Sequence, residues 1–267
     1  GEHAEVMSFV EQTVDSELSG NIIDLCPVGA LTSKPFRFSA RTWELSRRKS
    51  ISPHDSLGSN LIVQTKNDRV MRVLPHENEG INECWLSDKD RYSYEALNSS
   101  ERLTRPMVKQ DGVWHEVDWS VALDYVAHTL RDVVKTDGGA ALGGLLSPHA
   151  TLEELYLGQK LLRGLGCENI DTRLRHCDFS ADGKRSGIPW LGMKIAELSQ
   201  LDGVLVVGSF LRKDHPLIAQ RLRQSAKRGA QITFLHSTGD DQLIQLAGQV
   251  VVQPSQLPSM LPQVVTS

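Results

Sequence analysis

The sequence lacks paired cysteines, long apolar runs and any concentrated basic stripe, and each absence removes a class of protein. Four cysteines are present, Cys26, Cys84, Cys167 and Cys177, and no two stand as C-x-x-C. Their spacing matches neither a zinc finger nor a disulfide-stapled secreted domain, and it suits a reducing compartment. Apolar stretches such as VLVV at 204–207 fall far short of the ~20 residues needed to span a bilayer. The first residues have no basic-then-apolar signal layout. Net charge is −4, and RTWELSRRKS (residues 41–50) reads as a solvated strand or a subunit contact, so nucleic acid is not an expected partner. No internal repeat or low-complexity tract occurs.

What remains is an ordinary globular composition, 40% apolar and 23% charged over 267 residues, enough for about two domains. The chain opens on Gly1 and stops at LPQVVTS, which leads us to expect a segment of a longer polypeptide. A helix is expected over residues 4–18, broken at Gly20 and Asn21. Pro27 suits the first position of a short helix through VGAL. The runs NLIVQT and RVMRVLP flank a polar turn at Lys66, Asn67 and Asp68 and predict a hairpin. A short helix is expected within INECWLSDKDRYSYEALN (residues 81–98).

From about residue 107, past Pro106 and an Asp111-Gly112 turn, strands and helices alternate. Asp118 is the expected N-cap of a helix through WSVALDYVAHTLRDVV, with Val121, Tyr125, Leu130, Val133 and Val134 towards one face. GGAALGGLLS (residues 138–147) reads as a glycine-rich strand. Thr151 and Glu154 form a capping box that opens a helix to about Leu165. A helix through PWLGMKIAELSQL, a strand DGVLVVG, a helix HPLIAQRLRQSAKRG capped by Gly229, and a strand QITFLH follow. Such alternation predicts an α/β fold with a parallel sheet. GGAALGG lacks both the G-x-G-x-x-G order and a P-loop lysine, so tight strand–helix packing explains it. No nucleophile elbow is present, and no residue is assigned a catalytic role.

Cys26-Pro27 has the form that ends a cubane-binding cysteine run in bacterial ferredoxins, where proline turns the chain away from the cluster. The string GNIIDLCPVGALTSKPF (residues 20–36) resembles the segment carrying the last cysteine of a [4Fe-4S] site in the G-subunit family of bacterial NADH-quinone oxidoreductase, respiratory complex I. The resemblance continues through SARTWELSRRKSISPHDSLGSN, VMRVLP, NECWLSDKDRYSYEAL and RLTRPM. It is still recognisable in ENIDTRLR and SFLRKDHPLIAQRLRQSAKRG.

It implies Cys26 as one ligand of a [4Fe-4S] cluster whose other ligands come as C-x-x-C-x-x-C upstream of Gly1. A [2Fe-2S] cluster is implied only in the full-length subunit. The isolated Cys84, Cys167 and Cys177 are expected as small buried hydrophobes, and His3 and His54 as structural histidines. The implied domains are 1–40, the end of a ferredoxin-like iron–sulfur domain, and 41–106, a small β domain of molybdopterin-oxidoreductase type. The latter has RTWELSRR where such enzymes place cluster cysteines. Residues 107–267 are the implied Rossmann-like parallel-sheet domain, in which GSFLRKDHP (residues 208–216) resembles a loop facing the pterin nucleotide in molybdenum enzymes. That scaffold is expected without its cofactor.

The implied function is electron transfer from NADH through iron–sulfur clusters towards quinone, with nicotinamide bound by a different subunit. The implied partners are other peripheral-arm subunits at the cytoplasmic face of the bacterial inner membrane, without membrane insertion. Two alternatives stay open: a molybdopterin-dependent oxidoreductase of formate dehydrogenase type, and a cluster-free docking subunit.

Overall fold

The computed structural model describes residues 13–174, 179–184 and 186–266. It divides into two compact units, one built from Gly1–Ser99 with Trp190–Ser267 and the other from Ser100–Pro189. Both contain helices and small sheets. Most of the expected helix over 4–18 lies outside the described residues. Its last part is irregular and then a turn, and Asn21 begins a helix, α1 (Asn21–Leu25), instead of ending one.

In the first unit, β1 (Ser46–Ile51), β2 (Asn60–Lys66) and β3 (Arg69–Pro75) form an antiparallel sheet in that order. The β2–β3 hairpin turns at Asn67 and Asp68, with φ of 50° and 58°, left-handed values that Asn and Asp tolerate. β1 is exposed along all six residues, as a solvated strand should be. Next comes α2 (Asp88–Tyr92), whose N-cap Ser87 accepts from the Asp90 amide, and a 3₁₀ turn over Ser93–Asn98. Leu61, Val73, Leu86 and Tyr94 close the core beneath the sheet.

The second unit holds the β4 (Met107–Gln110) and β5 (Val113–Glu116) hairpin about Asp111-Gly112, and then α3 (Trp119–Asp137). Asp118 occupies the N-cap position of α3 without a capping hydrogen bond. Val121 and Tyr125 are exposed, whereas Leu130, Val133 and Val134 are half-buried. The glycine-rich stretch is mostly not a strand: a 3₁₀ turn over Gly139–Ala141 precedes a two-residue β6 (Gly144–Leu145). α4 (Leu152–Gly164) starts with the expected capping box. The Glu154 amide donates to Thr151 Oγ1 at 3.2 Å, and the Thr151 amide to Glu154 Oε2 at 2.8 Å. β7 (Ile170–Asp171) pairs parallel with β6. A Cβ on Gly139 would lie 2.4 Å from the Gly166 carbonyl oxygen and one on Gly144 2.1 Å from Leu162 Cδ1, so close packing accounts for these glycines.

The chain returns to the first unit with β8 (Gly203–Val207), α5 (Leu211–Asp214), α6 (Pro216–Lys227), β9 (Gln231–His236), β10 (Gly248–Val251) and α7 (Leu257–Thr266). β8, β9 and β10 form a parallel sheet in the order β10-β9-β8, over a core of Leu198, Leu211, Leu222, Ile232 and Phe234. Gly229 follows α6 at φ +99°, and its amide closes on the Ala226 carbonyl. The helix expected through 189–201 shrinks to a 3₁₀ segment, Ile195–Gln200. Gly192 at φ +84° ends any helix there, since that conformation is left-handed.

Polar contacts dock the α1 segment onto α2. Asn21 Nδ2 donates to the Leu86 carbonyl at 2.7 Å while the Leu86 amide donates to Asn21 Oδ1 at 3.0 Å, and Asn21 is 4% exposed. Asp88 accepts from the Gly20 amide at 2.7 Å and from Ser19 Oγ at 2.5 Å. A Cβ on Gly20 would lie 2.6 Å from Arg91 Cδ, so the approach needs glycine. Asn21→Ala leaves the Leu86 amide and carbonyl buried without partners. The expected loss is about 1–3 kcal/mol of unfolding free energy in urea titration. A loss below about 0.3 kcal/mol would show that the junction does not hold the segment.

Candidate metal centre

α1 delivers Cys26. The Cys26 amide donates to the Ile22 carbonyl at 3.1 Å, closing the helix, and at φ −78° and ψ 103° the residue leaves it extended. Pro27 then fixes its own φ and supplies no amide. Residues 27–29 form a turn in place of the expected short helix, because Gly29 takes φ +66°. The turn leaves the backbone amides of residues 28–31 close enough to the Cys26 side chain to act on its ionisation. Leu31 contributes most, partial burial opposes it, and Ala30, Val28 and Gly29 add to it. The sum holds the thiol below its ordinary pKa. A lowered thiol pKa favours the thiolate, the form of cysteine that binds metal.

The other candidates separate cleanly. Cys167 is fully buried, its sulfur 3.1 Å from the Leu142 carbonyl oxygen, a small core residue as expected. Cys84 is exposed, which corrects its reading as a buried hydrophobe: it follows Glu83, whose φ of 50° and bridge to Asn78 set a surface turn. Cys177 and His3 lie outside the described residues. His54 Nε2 lies 2.5 Å from Ser93 Oγ, a structural role as expected. Among the described residues no group of three or more His, Cys, Asp or Glu side chains could hold a metal ion. Cys26 alone cannot hold a cubane, which takes four protein ligands.

A cavity of about 510 Å³ opens beside the Cys26 turn, lined by Gly29, Leu31, Phe36, Arg72, Arg91 and Tyr94 among others. Arg72 stacks on the Phe36 ring at 4.2 Å and donates to Gln64 Oε1 at 2.5 Å. Its partly buried guanidinium has its pKa lowered chiefly by burial.

The segment after β8, residues 208–216 with α5 inside it, is tied to the start of the described chain. Arg212 Nε donates to Glu17 Oε2 at 2.6 Å, its Nη2 reaches the Asp15 carbonyl at 3.2 Å, and Lys213 pairs with Glu17. Burial pushes the Glu17 carboxyl up, but Lys213 and Arg212 outweigh it and hold the group below the usual range. His215 Nδ1 is buried without a partner. Glu17, Asn21, Asp88 and Arg91 were missed by sequence reasoning. They stand in polar stretches, TVDSELSGN (residues 13–21) and SDKDRYSYE (residues 87–95), where no single charge is marked out.

With this geometry in place, comparison with known proteins gives three family matches. Molybdopterin oxidoreductase matches residues 102–246, more than half of the chain, and the chain belongs to that family. The NADH-ubiquinone oxidoreductase NDSU1/NuoG-like 4Fe-4S domain matches residues 45–95, and the NADH-quinone oxidoreductase subunit 3 ferredoxin-like domain matches residues 1–32.

The G subunit of NADH-quinone oxidoreductase from Rickettsia felis is 41% identical over 230 residues, covering 86% of this chain and 33% of that protein. Its counterpart in Rickettsia conorii is 42% identical over 222 residues, covering 83% and 32%. The NADH-ubiquinone oxidoreductase 75 kDa subunit of Reclinomonas americana is 33% identical over 246 residues, covering 86% and 34%. The resemblance to the G-subunit family is thus shown, and the chain spans about a third of the length of these relatives. Acetylene hydratase from Pelobacter acetylenicus shares the fold, with a TM-score of 0.51, 15% identity, and coverage of 73% of this chain and 28% of that one. Within residues 45–95 the sequence has a single cysteine, Cys84, too few for a cubane.

In the metal-free chain, the pH midpoint for alkylation of Cys26 by iodoacetamide falls below the ~8.5 of an ordinary cysteine. Leu31→Pro, which deletes the strongest donor, moves it up. A wild-type midpoint at or above the ordinary value, read by mass spectrometry, would remove the thiolate cradle.

Proposed function

We propose that the chain belongs to an electron-transfer subunit of NADH-quinone oxidoreductase, in which Cys26 is one thiolate ligand of a [4Fe-4S] cluster. The observation that carries this reading is the Cys26-Pro27 step near the end of residues 1–32, the stretch matched by the ferredoxin-like domain of NADH-quinone oxidoreductase subunit 3. When bound, such a cluster exchanges single electrons by outer-sphere transfer. The residues of this chain hold and tune: Cys26 supplies the ligand, its four amides stabilise negative charge on sulfur, and the α1–α2 junction fixes where that sulfur stands. The remaining ligands and a [2Fe-2S] cluster belong to the full-length subunit. Electrons enter from NADH bound elsewhere and leave towards quinone.

In this reading residues 1–40 end a ferredoxin-like domain, residues 41–106 form a small β domain without cluster cysteines, and residues 107–267 form a Rossmann-like α/β domain. Parallel pairing in both β6–β7 and β8–β9–β10 supports the last assignment. The partners are other peripheral-arm subunits at the cytoplasmic face of the bacterial inner membrane. Among the described residues no helix is long and apolar enough to cross a membrane.

A second reading, a molybdopterin-dependent oxidoreductase, draws on the family match over residues 102–246. Against it, Arg212 and Lys213 in the loop resembling a nucleotide-facing one are taken by Glu17. A molybdenum determination on the full-length protein separates the two readings.

Cys26→Ala in the full-length subunit abolishes one cubane EPR signal and the NADH-quinone activity of the assembled enzyme. An unchanged iron content and spectrum in that variant would sink the ligand assignment.

A further inference from the structure

Residues 34–51 carry a surface that neither core of the first unit uses. Lys34, Arg37, Arg41, Arg47, Arg48 and Lys49 stand there against one acid, Glu44, in a chain of net charge −4. Glu44 is itself held by Lys66 at 3.0 Å, so it does not offset them. Among the described residues Arg47, Arg48 and Lys49 have no ion-pair partner. They lie on β1, which is exposed on both faces and forms one edge of its sheet. A strand usually gives at least one face to a core.

The same segment exposes two aromatic side chains, Trp43 at 83% and Phe38 at 92%. Phe38 is held at φ +64°, a left-handed conformation that is an outlier for a bulky residue. Large exposed aromatics ringed by arginine are the composition of the centre of a protein–protein interface.

We propose that residues 34–51 are the docking surface for an acidic face of another subunit of the same assembly. Trp43 and Phe38 enter apolar pockets of that face, and Arg47, Arg48 and Lys49 pair with its carboxylates. This rests on the reading of the chain as part of a multisubunit oxidoreductase. Charge selects the occupant. A long polyanion such as nucleic acid would meet the net negative charge of the rest of the chain beyond this short patch. A lipid surface is gripped by an amphipathic helix, whereas this segment is a strand preceded by a 3₁₀ turn. The basic side chains on the edge discourage another strand from pairing there, which leaves side-chain docking.

The test uses the intact oxidoreductase carrying the full-length subunit. Zero-length carbodiimide coupling, read by mass spectrometry, is expected to join Lys34 or Lys49 to an Asp or Glu of another subunit. In the R47E/R48E/K49E variant, the NaCl concentration that releases half of the subunit is expected to fall to roughly half or less. Trp43→Ala is expected to lower it as well, without changing the basic charge. All four substituted side chains are exposed, so folding is spared.

Coupling only within the chain, together with an unchanged release midpoint, overturns the proposal. So does patch-dependent binding of the isolated subunit to duplex DNA or anionic phosphatidylserine vesicles with an unchanged midpoint. The cubane EPR signal is read in parallel: salt-sensitive docking without that signal would refute the Cys26 assignment and leave the docking surface standing.

Discussion

Arg91 is 4% exposed, and its guanidinium spends its hydrogen bonds on the segment that carries Cys26. Nη2 donates to Asn21 Oδ1 at 3.1 Å and to Asp24 Oδ2 at 2.5 Å. Together with Asp88, which binds Ser19 and the Gly20 amide, this forms a polar seam between α1 and α2. Five residues of helix cannot be stable alone, because nucleation costs more than so few hydrogen bonds return. α1 therefore exists because the seam holds it. The turn that follows, and the amides aimed at the Cys26 sulfur, inherit their position from it. Asp24 itself is exposed, so this pair is screened by water on one side and is worth less than a fully buried one.

A second polar clamp joins the two cores of the same unit. Arg221 on α6 is buried and donates to Glu83 Oε1 at 2.6 Å and to the carbonyls of Glu79 and Ile81 at 2.8 and 3.0 Å. Neither apolar cluster is large. Leu61, Val73, Leu86 and Tyr94 make one, and the β8–β9–β10 face makes the other. Small cores leave little surplus over conformational entropy, so arginines that satisfy several carbonyls at once give the unit its single arrangement. In the proposed reading Cys26 depends on that rigidity, because groups around a ligand tune it only while they hold their places.

Local features of the fold were legible in the sequence. Asn67-Asp68 announced the hairpin, Thr151 and Glu154 the start of α4, and Gly229 the end of α6, each through chemistry confined to four or five residues. Features set by pairing across the chain were not. The alternation of strands and helices implied one continuous parallel sheet, whereas hydrogen bonding forms a two-stranded β6–β7 pair and a three-stranded β8–β9–β10 sheet. Asn21 reaches Leu86 across 65 residues and Arg212 reaches Glu17 across 195, and nothing in either local pattern names its partner. PWLGMKIAELSQL shows how a helical periodicity yields to one glycine: Gly192 at φ +84° left only the 3₁₀ turn.

The Glu17 contact ties the carboxyl end of the β8–β10 sheet to the segment leading into α1. A loop at the carboxyl end of a parallel strand is where α/β folds place ligands, and cationic side chains there suit phosphate groups. Here Arg212 and Lys213 stand on α5, just past the carboxyl end of β8, and Glu17 supplies the anion from within the chain. A carboxylate fixed by two cations leaves little net positive charge for a nucleotide, and it also anchors the residues leading into α1. The same ion pair that weakens the loop as a binding site therefore steadies the approach to Cys26.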